Sequence, residues 1–317
     1  MASSFSVASP GARWPVAQCR AGLPLAAALL GCLLDAGACL AVDAVDTLER
    51  VFTVGGAPRI TVTHVAGIVK ITGQAAPTVS IRASRKVMTG DATRGLARVK
   101  VELSGTTGEA TVQVVHTGVC DWEELKGLQR QGQLDDVHVD LEMLVPQGAS
   151  LDVATVSGEV VVTGITGGTS VRSVSSLMLL ERVSGGVKVM TIGGEVNIFG
   201  LAGGLSAQSV NGPIKGRVMR GSCVVDTVSG AVELDLEPSE YAVARINTMS
   251  GSVSVAVPDR SGGSLDLKTV SGTVGGVVSS PAGPGPHHVT AHLGRDGPDI
   301  TVQTVNGAIV VKRKKDR

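Results

Sequence analysis

The sequence predicts an all-β protein: a parallel, single-strand β-solenoid, similar to a β-helix, with rungs of about 18 residues and an N-terminal β-rich capping region. Three observations predict it: a repeat of nearly fixed length, apolar–polar alternation within each repeat, and glycine pairs between the alternating stretches. Aromatic residues make up only 2% of the chain, so Val, Leu, Ile and Ala must fill the interior. Such residues suit a narrow, layered core.

A short motif that begins with Thr or Ser occurs eight times, and Thr155-Val156-Ser157-Gly158 is a clear copy of it. The first five copies follow one another at steps of 18 residues, and the last three at steps of 21, 21 and 35. The copies begin at Thr155, Ser173, Thr191, Ser209, Thr227, Thr248, Thr269 and Thr304. A unit this short cannot bury an apolar face alone, so we expect the copies to stack on one another.

Alternation within each copy predicts strands with one buried face, because apolar residues stand two and four positions before the first Thr or Ser, with polar residues between. After the Thr the apolar phase slips by one residue, and a Ser-Gly, Asn-Gly or Gly-Gly pair at the slip indicates a corner. The column two positions before the Thr consists of Val153, Val171, Val189, Ala207, Val225, Ile246, Leu267 and Val302. A further apolar column, expected to precede a second glycine corner, consists of Ile165, Val183, Leu201 and Met219.

The column of Thr and Ser residues is interpreted as structural. A hydroxyl repeated in register is a stacking and hydrogen-bonding element, whereas catalysis needs a unique group. Cys223 stands in a column filled mostly by Leu, Val and Ile, so we expect a small buried apolar side chain there. Cys120 is the other cysteine outside the leader, and a disulfide between the two stays open.

The predicted organisation has four parts: a leader at 1–41, the capping region at 45–150, the repeat region at 151–313 and a basic tail at 314–317. Within the capping region, residues 60–71 fit every column of the repeat, with His64 in the place of the Thr, and predict an additional first rung. Ordinary alternating strands are expected at 78–86, 97–104, 109–117 and 136–146. This region would cover the open end of the solenoid, whose strand edges are otherwise unpaired.

The leader has the layout of a secretory signal: no acid in the first 34 residues, two Arg before the apolar run Leu23–Leu34, and small residues at Ala36-Gly37-Ala38. We therefore expect export to the periplasm, the cell surface or the medium, with no transmembrane span in the mature chain. Two alternatives remain open: a lipid anchor at Cys32 or Cys39, and an organelle transit peptide.

The stretch Val145–Gly164 (VPQGASLDVATVSGEVVVTG), followed by VSG and VNG units, resembles a bacterial family of envelope proteins described as adhesins or as a β-strand-repeat domain of unknown function. The resemblance runs from about Arg59 to Lys312. It implies a solenoid-like β-domain outside the cytoplasm. The family offers no catalytic residues to carry over.

Two groups of residues invite a chemical interpretation. His287, His288 and His292 could supply imidazoles to a metal, although their Pro- and Gly-rich surroundings favour a surface loop crossed by a strand. Outward carboxylates at Asp226, Glu233 and Asp235 support the alternative of a carbohydrate-active β-helix enzyme, which would need two of them about 5–10 Å apart. Neither group forms a complete motif, so we predict no catalytic, cofactor-binding or metal-binding residues.

The segment Cys120–Asp136 breaks the β-pattern and predicts a short helical insertion. Because binding groups concentrate on loops held by a rigid scaffold, we expect a partner to contact it. The candidate residues are Trp122, Glu123, Glu124 and Arg130. The partner would be an unknown protein or envelope component. Nucleic acid is not expected, since 28 cationic residues balance 28 anionic ones and few rings are present.

Overall fold

Alternating apolar and polar residues form strands through most of the described chain, and the protein is all-β. The structure is a computed structural model that describes residues 45–88, 96–97, 99–116, 137–237, 243–259, 262–278, 285–294 and 297–314. The insertion at 120–136, the leader and the last three residues of the basic tail lie outside the described residues.

The described residues form 22 strands. They are β1 (Val45–Thr53), β2 (Arg59–Thr63), β3 (Ile68–Gln74), β4 (Thr78–Val87), β5 (Val99–Gly105), β6 (Glu109–His116), β7 (Val137–Pro146), β8 (Ser150–Thr163), β9 (Thr169–Glu181), β10 (Val187–Thr191), β11 (Val196–Ala202), β12 (Leu205–Ser209), β13 (Ile214–Arg220), β14 (Cys223–Thr227), β15 (Val232–Leu236), β16 (Val243–Thr248), β17 (Val253–Pro258), β18 (Gly263–Gly272), β19 (Val274–Gly276), β20 (Gly285–Gly294), β21 (Asp299–Thr304) and β22 (Ile309–Lys314).

The strands pair in two series, which we call ladder A and ladder B. Ladder A runs β5-β6-β2-β8-β9-β10-β12-β14-β16-β21-β18-β20. Ladder B runs β1-β4-β7-β3-β8-β9-β11-β13-β15-β17-β22-β19. The long strands β8 and β9 contribute their first halves to ladder A and their second halves to ladder B, and all 22 strands form one sheet.

Strands of successive repeats pair in parallel and in register. Val171 of β9, Val189 of β10 and Ala207 of β12 are direct neighbours, at the 18-residue step of the sequence. The predicted column two positions before the Thr is buried throughout. Because each repeat lies one strand spacing, about 4.8 Å, from the next, identical positions meet in columns and together bury what a single repeat leaves exposed. The predicted strand-and-turn character of 151–313 is confirmed for its described residues.

The column of Thr and Ser residues forms the corner between the two ladders. In five of the eight copies the hydroxyl accepts a hydrogen bond from the backbone N–H three residues later, at 2.9–3.0 Å, and thereby satisfies an amide that the corner removes from strand pairing. The pairs are Ser173–Ser176, Thr191–Gly194, Ser209–Gly212, Thr227–Gly230 and Thr248–Gly251. The structural interpretation of this column is confirmed.

Glycine is required at this corner mainly by close backbone approach. A Cβ on Gly194 would lie 2.1 Å from the carbonyl oxygen of Ser176, and one on Gly212 would lie 1.8 Å from that of Gly194. Among the glycines predicted to turn this corner, Gly158 has a positive φ, 109°, and the others meet the carbonyl of the preceding rung. In β8 and β9 strand pairing continues through the corner, so these two rungs are single long strands.

The prediction that Met219 belongs to the buried column of Ile165, Val183 and Leu201 is wrong. Val218 is buried in its place, and Met219 is exposed. The cause lies at the residue that directly precedes this column. In the first three copies that residue is Gly164, Arg182 or Gly200, and its positive φ makes it part of the turn.

Val218 takes the corresponding position in the next rung. A β-branched side chain strongly disfavours positive φ, so β13 continues in extended conformation and its pairing with β11 shifts by one residue. The shift places Val218 beside Leu201 and turns Met219 outward.

The last repeat does not occupy the last place in the ladders. Strands β21 and β22 lie between the rung formed by β16 and β17 and the rung formed by β18 and β19. The long step before Thr304 contains β20, which pairs antiparallel with β18 at the edge of ladder A. The sequence identified the insertion but gave no indication of this change of order.

The N-terminal region agrees with its predicted strands. Residues 60–71 form β2 and β3, which pair with β8, and His64 occupies the Thr position as expected. Next to this first rung, β4 and β7 pair antiparallel in ladder B, as do β5 and β6 in ladder A. Cys223 is a buried free thiol, as its column predicted.

We predict that Gly194→Ala lowers the free energy of unfolding by about 1–3 kcal/mol, because its Cβ collides with a backbone carbonyl of the neighbouring rung. The matched control is Gly193→Ala, whose Cβ would find its nearest atom, the Val174 carbonyl oxygen, at 3.9 Å. Urea unfolding of both variants measures the difference. Equal midpoints for the two variants would show that close packing at this corner does not require glycine.

Candidate functional site

The outward positions of ladder A carry charged residues that pair with one another. Arg172 contacts Asp152 across adjacent strands at 3.0 Å, and Asp266 contacts both Lys268, at 2.9 Å, and His288, at 2.8 Å. Hydrogen bonding from Lys268, helped by His288, lowers the pKa of Asp266 below its ordinary value. Asp266 is therefore stabilised in its charged form and is not suited to act as a proton donor.

The three carboxylates considered for sugar cleavage do not share one surface. Asp226 lies on β14 in ladder A, where its oxygen accepts a hydrogen bond from Asn247 at 2.8 Å. Glu233 and Asp235 lie on β15 in ladder B. There Asp235 contacts the side chains of Arg217 and Lys314. Asp226 therefore lies on a different ladder from Glu233 and Asp235, and Asp235 is already engaged by two cationic side chains.

The histidines of the last insertion lie on one strand, β20. His288 and His292 point to its more exposed face, and His287 points to the other. Residues four apart on a strand are separated by about 13 Å, so these side chains of one strand do not converge on one ion. In the described residues no group of three or more His, Cys, Asp or Glu side chains has an arrangement suited to a metal ion.

An exposed apolar strip runs along the corner between the ladders. It is formed by the residues that stand one position after the Thr or Ser in successive rungs, and these residues are 40–57% exposed. In ladder order the strip consists of Ile192, Val210, Val228, Met249, Val305 and Val270. Five rung steps of about 4.8 Å give it a length of about 24 Å. Several aligned apolar side chains of this kind mark a contact surface more often than scattered ones do.

Backbone hydrogen bonds fix the strip in register. The carbonyl of each strip residue except the last, Val270, accepts a hydrogen bond from the backbone amide of the second residue after the Thr or Ser in the next rung, at 2.8–2.9 Å. Examples are Asn211 to Ile192, Ser229 to Val210 and Asn306 to Met249. The backbone of the strip is therefore fixed in register, so a binding partner has only the side chains left to order.

A shallow groove of about 320 Å³ accompanies the N-terminal part of the strip. Val174, Ile192 and Val210 line one side of it, and Met190 and Gln208 contribute to the other. The groove is mostly apolar. Three strands line it, β9, β10 and β12, and Arg172 lies on the first of them, at one end of the groove. This composition suits an apolar group with a polar or anionic end.

The proposed partner-binding residues Trp122, Glu123, Glu124 and Arg130 lie outside the described residues. The strands on either side of their segment are described, however: β6 ends at His116, and β7 begins at Val137. Near that start the amide of Val139 donates to the carbonyl of Ala66, in the corner of the first rung. Strand β7 thus begins beside the same row of corners along which the strip runs.

One buried titratable side chain has a purely structural environment. The Nε2 of His64 donates to the carbonyl of Val139 at 2.6 Å, and its Nδ1 lies 3.2 Å from the hydroxyl of Thr155. Burial lowers the pKa of His64 to about 4, although the bond to Val139 opposes the shift. The ring is therefore neutral at pH 7. Burial also raises the pKa of Cys223 to about 12, so that its thiol is unreactive.

The strip was missed in the sequence although its signal is present. The second residue of nearly every copy of the motif is apolar, as in Thr227-Val228-Ser229-Gly230. Between a buried Thr and a corner glycine, such a residue can point either inward or outward. Both occur: Val65 and Val156 are buried in the first two rungs, whereas Ile192 and later members are exposed.

No protein-family model and no curated protein sequence matches the chain. Solved structures with a similar fold include a "putative lipid binding protein" from Parabacteroides distasonis, 11% identical, with a TM-score of 0.41 over 85% of this chain and 97% of that one. They also include a "putative adhesin" from Parabacteroides merdae, 9% identical, with a TM-score of 0.38 over 85% of this chain and 96% of that one. At these values the similarity assigns no function.

The described residues include no helical segment that would serve as a membrane span.

We predict that His64 makes stability pH-dependent in acid. A folded-state pKa of about 4, below the ordinary 6.5, means that the unfolded chain binds the proton first, so stability falls as the pH drops from 6.5 to 4. The loss amounts to about 3 kcal/mol. His64→Thr, which has the usual residue of this column, should lack this component. Equal pH slopes of the unfolding free energy between 6.5 and 4 in the two proteins would contradict the prediction.

Proposed function

We propose that this chain is a non-enzymatic, exported β-solenoid protein of the cell envelope that acts as a scaffold or adhesion-type binding module. The observation that carries the proposal is the apolar strip, a row of exposed apolar side chains aligned at one corner of successive rungs. Each strip side chain buried by a partner contributes about 1 kcal/mol at half exposure. Six such residues contribute about 6 kcal/mol before the cost of association, so the strip acts together with other contacts.

The solenoid assignment is supported by the pairing pattern. Residues at equal positions of successive repeats are parallel neighbours in both ladders, as Val189 and Ala207 are in ladder A and Val196 and Ile214 are in ladder B. Two ladders that face a shared apolar core and are joined at glycine corners constitute the cross-section of a two-sided solenoid. The VSG and VNG units are the residues that form one of these corners.

The binding role is divided between the strip and the insertion. Trp122 supplies an apolar anchor, and Glu123, Glu124 and Arg130 supply charges that select a partner. Strand β7, which follows the insertion in the chain, begins beside the corner of the first rung, at the N-terminal end of the row to which the strip belongs. A partner held by the insertion then extends along the strip.

The absence of catalysis is supported by how the outward carboxylates are used. Asp152, Asp235 and Asp266 contact neighbouring cations, and Asp226 contacts an amide. Lys268 and His288 lower the pKa of Asp266, which opposes a role of this carboxylate in donating a proton. Export is supported by the acid-free leader with its apolar run and small-residue site.

Deleting Trp122–Gln133 tests the role of the insertion. We expect the deletion to abolish attachment of the purified, fluorescently labelled protein to envelope fragments of its source cells, while the strand-rich circular dichroism spectrum stays. Attachment that survives the deletion would remove the insertion from the binding site. Hydrolysis of glycan, ester or peptide substrates by the purified protein would overturn the non-enzymatic assignment.

The strip is tested by the double substitution Val210→Asn and Val228→Asn. Asn is chosen because the chain already has this residue at the same corner, at Asn211. Loss of two apolar contacts should weaken attachment about tenfold or more. The control is Phe199→Asn, an exposed apolar residue on β11 away from the strip. Equal binding by the double variant and the control would show that the strip makes no contact.

A further inference from the structure

Among the described residues, four strands have a partner on one edge only: β1, β5, β19 and β20. An open edge presents unpaired N–H and C=O groups and pairs readily with another strand. Natural proteins protect such edges with charged residues or by keeping them short. The four edges differ sharply in this respect.

Three of the edges are protected. Strand β1 carries Asp46, Glu49 and Arg50, and β5 carries Lys100 and Glu102. Strand β19 has only three residues, two of them glycine. The fourth, β20, is ten residues long and contains no Lys, Arg, Asp or Glu. Its polar side chains are three imidazoles and the hydroxyl of Thr290.

The inner face of β20 also leaves apolar surface incompletely covered. Val289, Ala291 and Leu293 pack against the core of the protein but are only partly buried. A strand added beside β20 would cover these side chains and extend the inner apolar face of ladder A by one step. Both the backbone and the side chains of this edge therefore favour a further strand.

We propose that the occupant of this edge is the β20 strand of a second copy of the chain, paired antiparallel about a two-fold axis. The run without glycine or proline extends from His287 to Leu293, and its central residue is Thr290. Pairing residues 288–292, the central part of this run, with the same residues of the second copy places Thr290 opposite its counterpart. The inner face then brings Val289 opposite the second copy's Ala291, and the outer face brings His288 opposite the second copy's His292.

The pairing is isologous: each copy contributes the same edge, and both edges are buried in the dimer. No such edge is left to bind a third copy. Backbone hydrogen bonds supply the affinity, as in other complexes formed by strand addition. At the C-terminal end of the strand, Arg313 donates to the carbonyl of Leu293 at 3.3 Å, which marks the end of the pairing region. The inference is independent of the proposed binding function.

Thr290→Lys tests the proposed dimer. In the single chain this exposed residue lies opposite Asp266, so a Lys is tolerated. In the dimer two Lys side chains face each other, and like charges directly opposite on neighbouring strands repel. Sedimentation equilibrium should show a dimer for the parent protein and a dissociation constant at least about tenfold higher for the variant.

The matched control is Ser206→Lys, an outward position inside ladder A that no open edge adjoins. It should leave the dimer unchanged. A parent protein that is monomeric at the highest soluble concentration overturns the proposal, as does a dimer that Thr290→Lys does not weaken. Circular dichroism shows whether each variant is folded.

The register is tested by cross-linking, which also distinguishes this edge from any other interface. Directly opposed residues have Cα atoms about 4.5–5.5 Å apart, within the range of a disulfide. Thr290→Cys should therefore form a covalent dimer under mild oxidation beyond any formed by the parent protein. His288→Cys alone should not, whereas a mixture of His288→Cys and His292→Cys should. Cross-linking of His288→Cys alone, or none with Thr290→Cys, would contradict the pairing.

Discussion

The close approach of backbone to backbone at the corners is the constraint on which the rest of the structure depends. At Gly212 the carbonyl oxygen of the preceding rung occupies the space that a Cβ would need, 1.8 Å from its ideal position, and Gly194 and Gly230 repeat the arrangement. Because the corners stack without an intervening side chain, successive rungs keep one strand spacing throughout. That spacing aligns the apolar columns and holds the strip in one row. At the same corners, Thr and Ser hydroxyls accept hydrogen bonds from backbone amides that have no strand partner.

Most of this arrangement is predictable from the sequence because it repeats. The inward column of Val153, Val171 and Val189 and the first rung with His64 follow from a period that many copies reinforce. The failures occur where one rung departs from its neighbours. Val218 excludes a positive φ that Gly200 accepts, and this single residue exchanges the roles of Val218 and Met219. Alignment of the repeats shows what most copies share, and it therefore hides the backbone preference of one residue in one copy.

The candidate site was less predictable for a different reason. Buried positions must resemble their neighbours in the stack, whereas outward positions such as Lys188, Ser206 and Val224 only need to tolerate water. Their variation carries no periodic signal, so a single sequence does not distinguish a contact surface from a solvated face. The strip is periodic, but its Val and Ile residues read as core until the geometry of the corner shows that they point outward. The change of order at β21 likewise leaves no mark on the repeat.

That change of order has a consequence for how the protein is made. Ladders in which each rung docks on the one before it can grow during synthesis, rung by rung from the N-terminus. Growth of this kind stops at β16 and β17, because the surface that receives β18 and β19 is formed by β21 and β22, which follow them in the chain. Residues 263–294 must therefore wait for residues 299–314 before they find their place in the ladders. A nascent chain arrested before residue 299 has no site for its final rung.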